Sequence, residues 1–143
     1  MPDVRHSEER HGAAAWVLLV EDEARTRDAI AHALDGAGLG VADAASAEAA
    51  LRAADADPAG PPPAVLVTRT GPAPDGIDGL ALAEEARRRW PGLGVVYVTG
   101  RRPSGLDGHV LRARDRFLPG PVTPVALVRA VRGLVGASPR PAP

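Results

Sequence analysis

The chain has 143 residues, no cysteine and only 3% aromatic side chains, which suits one domain and excludes both a disulfide framework and a thiolate metal site. All 17 cationic side chains are arginines, set against 18 acidic ones for a net charge of −1, and so little charge with so few rings argues against a nucleic-acid binder. The charged opening MPDVRHSEERHG is no signal peptide, and the longest apolar run, Ala13 to Val20, is too short to span a bilayer, so a cytoplasmic protein without membrane contact is expected.

Val17-Leu18-Leu19-Val20 is a continuous apolar run, the mark of a strand covered on both faces. It ends in Glu21-Asp22-Glu23. Ile30, Ala33, Leu34 and Ala37 then recur at helical spacing, Glu23 stands four residues before Arg27 as a favourable helix pair, and Gly36 and Gly38 are stop signals. A weaker strand is predicted over Val41 to Ala45, followed by a helix that starts at Ser46, a suitable N-cap, and runs to Ala54. The stretch DADPAGPPPA, Asp55 to Ala64, cannot continue it, because proline removes donors and clashes with the preceding turn.

A third strand is predicted over Val65 to Thr68, delivering Arg69 at its end, and a third helix over Leu80 to Trp90. Glu84 and Glu85 precede Arg88 and Arg89 by four residues, so the run Arg87-Arg88-Arg89 reads as a solvated, salt-bridged face. Val95 to Val98 is a fourth strand, Arg116 to Leu118 a short fifth, and Pro124 to Val135 a last helix with Leu127, Val128, Val131 and Leu134 on one stripe. The expected organisation is a disordered segment over 1–14, one domain over 15–136 and a disordered tail over 137–143. Strands alternating with helices imply an α/β, doubly wound parallel sheet whose function gathers at the carboxyl ends of its strands. The residues placed there are Glu21-Asp22, Arg69, Thr99 and the segment after Leu118.

Four pieces in order, VLLVEDE, the DG of GIDGLAL, VVYVTG and RFLPGP, resemble the receiver domain of two-component response regulators over roughly residues 15–135. The resemblance implies a flavodoxin-like sheet of five strands in the order 2-1-3-4-5 that takes a phosphoryl group from a histidine kinase onto an aspartate with the help of Mg²⁺. Glu21 and Asp22 match the family's acidic pair, Thr99 its hydroxyl and Phe117 its switch aromatic. Arg69 stands where the nucleophilic aspartate is expected, and Gly120 where the lysine is expected; no realignment restores a lysine, since the chain has none.

A guanidinium stays protonated and is no nucleophile, and it replaces the third negative charge of the pocket by a positive one. The chain is therefore expected to be a pseudo-receiver, not an enzyme, with no cofactor and with Mg²⁺ binding lost or weak. For Arg69 two readings stand open, a solvent-exposed loop residue or an internal counter-ion paired with Glu21 or Asp22. Thr99 is read either as an ordinary strand-end threonine or as a switch hydroxyl, and Phe117 as core or switch.

Asp75 and Asp78 are the remaining carboxylates that could serve as atypical acceptors. Arg101, Arg102, Arg112, Arg114 and Arg116 form either a solvated cluster or a partner surface. The function expected is that of a stand-alone receiver-like signalling protein acting phosphorylation-independently on a protein partner, such as a histidine kinase or another regulator, with a homodimer as a further state. One alternative is an active single-domain regulator phosphorylated at an atypical site. A second is a small nucleotide-dependent α/β enzyme, against which stands the absence of G-x-G-x-x-G or a P-loop after the first strand.

Overall fold

A computed structural model describes residues 15–56, 59–70, 79–99, 113–120 and 122–136. Its elements in chain order are β1 (Trp16–Val20), α1 (Ala24–Gly36), β2 (Gly40–Ala44), α2 (Ala47–Ala56), β3 (Val65–Arg69), α3 (Gly79–Arg89), β4 (Gly94–Thr99), β5 (Asp115–Pro119) and α4 (Pro124–Gly136). The strands form one parallel sheet in the order β2-β1-β3-β4-β5, as the motif order implies.

Alternation along each strand decides which helices cover it. Val17 and Leu19 of β1, Val65 and Val67 of β3 and Val96 of β4 face α1 and α4, where Ile30, Leu34, Leu127, Val131 and Leu134 meet them. Leu18, Leu66, Val95 and Tyr97 face the other way, toward Ala50 of α2 and Leu82 and Ala86 of α3. Each such side chain taken fully from water contributes about 1.5–3 kcal/mol, which is why the central strands read as unbroken apolar runs. β2, GVADA, is buried throughout yet built of small residues and Asp43; burial between neighbours forms it, not propensity.

Local chemistry sets the helix ends. Glu23 is the N-cap of α1, its carboxylate accepting from Thr26 N and Thr26 Oγ1, each at 2.7 Å. Arg27 therefore does not pair with Glu23 as the spacing suggests; its Nη1 donates to the Glu21 carbonyl at 2.8 Å. α1 stops because Gly38 takes φ +86°, a conformation that L side chains rarely adopt, and lets Leu39 N bond Leu34 O at 3.1 Å. Ser46 caps α2 through Ala49 N at 3.1 Å, and α2 runs two residues past the predicted end, to Ala56. Thr123 caps α4 through Ala126 N at 3.1 Å, with Pro124 opening the helix. The proline-rich connection before β3 is tied down by Trp16 Nε1, which donates to Pro61 O at 2.8 Å. No helix among the described residues is long and apolar enough to cross a membrane.

Candidate functional site

All strands run the same way, so their carboxyl ends share one edge of the sheet. Glu21 follows β1 and extends its ladder, Glu21 N donating to Ala44 O at 3.1 Å. Arg69 is the last residue of β3, opposite Val98 of β4, and Thr70 N donates to Val98 O at 3.1 Å. Thr99 closes β4 opposite Pro119, and Gly120 follows β5 directly. The edge thus gathers Glu21, Asp22, Arg69, Thr99 and Gly120. Asp75, Asp78, Arg101, Arg102 and Arg112 lie outside the described residues.

At the centre of this edge Arg69 Nη1 lies 3.4 Å from both carboxylate oxygens of Glu21. The two partners differ in exposure: the Arg69 side chain is 51% exposed and that of Glu21 only 4%. Of the two carboxylates offered to Arg69 by the sequence, the geometry selects the buried one, while Asp22 is exposed. Glu21 Oε2 also accepts from Glu23 N at 3.0 Å, a bond made possible by the turn into α1. Among the described residues no three His, Cys, Asp or Glu side chains gather at one point.

Burial pushes the Glu21 carboxyl above its ordinary range, and the neighbouring Asp22 carboxyl adds to the rise; the Glu23 N–H and the Arg69 charge oppose it. The sign for stability follows. A carboxyl whose folded pKa is raised favours the folded state fully below its unfolded value, near 4.5, and that contribution is lost as pH rises through the folded value. Replacing Arg69 by alanine removes one of the opposing influences. Arg69→Ala should therefore move the Glu21 titration higher still, and because the guanidinium is half in solvent the loss of stability at neutral pH should stay below about 1 kcal/mol. Carboxyl carbon NMR through a pH series reads the titration directly; an unmoved Glu21 curve would contradict the pairing.

The position of Arg69 is fixed from behind by Gly79, the first residue of α3. A Cβ built there would overlap the Arg69 carbonyl oxygen and stand 2.6 Å from its carbonyl carbon and 3.1 Å from Thr68 Oγ1. Only glycine lets α3 begin so close to the end of β3. Gly79 is the glycine of the DG pair in GIDGLAL, but the reason for it, a close approach of two elements, shows only in the fold.

Two expectations about arginines are corrected. Arg87 does not share the solvated face of Arg88 and Arg89; it is buried at 8% exposure and pairs with Asp115, whose side chain is at 0%. Helical geometry explains the difference, since Arg87 lies four residues beyond Ala83 on the side of α3 that meets the sheet. Arg88 and Arg89 do stay outside, on Glu85 and Asp55. Arg114 is not a free surface cation either: Nε donates to Gly92 O at 3.1 Å and Nη2 to Leu134 O at 3.2 Å, fastening the entry of β5 to α4. Of the five arginines of the expected partner surface, Arg116 is the exposed one among the described residues. Phe117 is half-buried and stacks on Tyr97 with ring centroids 4.8 Å apart.

No family model matches the chain. The transcriptional regulatory protein FixJ of Azorhizobium caulinodans is 32% identical over 124 residues, which make up 85% of this chain and 56% of FixJ; the chain spans little more than half the length of that relative. Among solved structures, a response regulator receiver protein from Sinorhizobium medicae is 26% identical with a TM-score of 0.69, covering 87% of this chain and 96% of that one. A CheY-like receiver domain protein from Methanospirillum hungatei matches with a TM-score of 0.72 at 23% identity, covering 86% and 94%, a likeness of fold alone. Strand order and these likenesses together give the described residues the fold of a response-regulator receiver domain, with the predicted site residues along the carboxyl edge of its sheet.

Proposed function

We propose that this chain is a receiver-like signalling protein of a two-component system that works without phosphotransfer and acts by binding a protein partner. The observation that carries the reading is Arg69 Nη1 at 3.4 Å from both oxygens of Glu21. A protonated guanidinium occupies the strand end where a nucleophile would stand, and it lies against the carboxylate that would hold a metal. Mg²⁺ does not fit this arrangement: it needs converging oxygen ligands with near-octahedral geometry, whereas Glu21 faces a cation and the Arg69 side chain offers no oxygen. Gly120 supplies no charge to balance phosphoryl oxygens. On this reading the chain is not an enzyme and needs no cofactor.

The similar proteins indicate the kind of partner. FixJ is named a transcriptional regulatory protein, and a receiver domain 27% identical to this chain belongs to the hybrid histidine kinase CckA. A histidine kinase or another regulator is accordingly the partner proposed, with a second copy of the chain as a further one. Incubation with Mg²⁺ and a small phosphodonor such as acetyl phosphate, read by intact mass, should leave the protein unmodified. A stable addition of one phosphoryl group would overturn the proposal, and peptide mapping to Asp75 or Asp78 would establish the active regulator in its place.

A further inference from the structure

The chain has a single tyrosine and a single phenylalanine, and the two lie face to face. Tyr97 of β4 and Phe117 of β5 are direct register partners, with ring centroids 4.8 Å apart and planes 15° from parallel. Tyr97 is completely buried. Phe117 is half-buried and packs against the cluster that joins β1, β3 and β4 to α2 and α3.

Burial pushes the ionisation of the Tyr97 hydroxyl up, the charges of Asp115 and Glu84 add to the rise, and Arg87 opposes it. Arg87 and Asp115 are themselves a buried pair. Asp115 lies two residues before Phe117, so both side chains leave β5 on the same face. That face is therefore held twice, by Asp115 to α3 and by Phe117 to the ring of Tyr97.

We propose that Tyr97 is a latch residue: its ring stacks on Phe117 and captures it in one packed position, while Asp115 ties the same face of β5 to Arg87, and the two contacts together give the β5 edge a single shape. Aromatic pairs add about 0.5–1.5 kcal/mol beyond their burial, and a β4–β5 pair with only aliphatic side chains at position 97 would lack that hold. The latch goes beyond the reading of the acidic edge and does not depend on it, because none of its four side chains touches Glu21 or Arg69 in the contacts described. A partner that docks on the β5 edge would meet a preformed surface.

The single phenylalanine makes the test direct. The full chain is labelled with 4-fluorophenylalanine and followed by fluorine NMR. The wild type should give one narrow resonance. Tyr97→Leu, folded by circular dichroism, should lose it in favour of a broadened or multiple signal, and Asp115→Asn should do so to a lesser degree. A Tyr97→Leu line as single and narrow as that of the wild type would overturn the latch, as would two resolved lines in the wild type. Should Tyr97→Leu fail to fold, Tyr97→Met keeps the volume without the ring and is judged by the same two outcomes. The spectra are recorded without phosphodonor, so phosphoryl addition in the mass experiment and loss of the latch are read independently and the two proposals fail separately.

Discussion

Asp115→Ala should destabilise the domain by about 3–5 kcal/mol, the usual loss when one member of a buried ion pair is removed and the other stays behind. The Arg87 guanidinium would remain at 8% exposure without the carboxylate that balances it. Neither water nor another described acid replaces Asp115 at no cost, because Glu84 lies on the half-exposed side of α3. In thermal unfolding the loss corresponds to a fall of roughly 12–20 °C for a domain of this size. The paired change Arg87→Met with Asp115→Leu should recover most of it, since buried pairs replaced together by apolar groups of similar volume are often neutral. Urea denaturation of the three variants measures this; an Asp115→Ala protein within about 1 kcal/mol of the wild type would show that the pair is not buried in solution.

Gly79→Ala is the second change with a large expected effect. Its Cβ would meet the Arg69 carbonyl group, which is backbone and cannot rotate away. Either α3 retreats from β3 or the strand end moves, and overpacking of this kind costs about 1–3 kcal/mol, more where backbone must shift. Stability loss alone would not connect this to the site. The connecting measurement is the Glu21 titration: a displaced strand end carries Arg69 away from Glu21, so the curve should rise in Gly79→Ala as it does in Arg69→Ala. A large stability loss with an unmoved Glu21 curve would show that the helix yields and the strand does not.

The elements of the fold are legible in the sequence where one side chain pattern answers to one environment. VLLV and VLV read as strands because β1 and β3 are covered on both faces, and the caps Ser46 and Thr123 act within three residues of their own position. Even β2, weak in propensity, is located by its place between two helices. The acidic pair, Arg69, Thr99 and Gly120 are equally legible, because they sit at strand ends and topology puts all strand ends on one edge. What stays hidden depends on contacts between elements far apart in the chain. The run Arg87-Arg88-Arg89 looks uniform until the Asp115 carboxylate, 28 residues on, singles out one member. Arg27 and Glu23 look like a helix pair until the Glu21 carbonyl takes the guanidinium and Thr26 takes the carboxylate. Gly79 and the Tyr97–Phe117 stack likewise exist only once two elements are docked.

The pairing of Arg69 with Glu21 also has a consequence for how this edge responds to its surroundings. A diffusible metal ion is supplied by mass action, so the charge it brings varies with its free concentration and disappears on chelation. The guanidinium of Arg69 is carried by the chain itself and is present at the same local concentration in every copy. The positive charge beside Glu21 is thus a constant of the molecule, indifferent to the divalent-ion content of the medium.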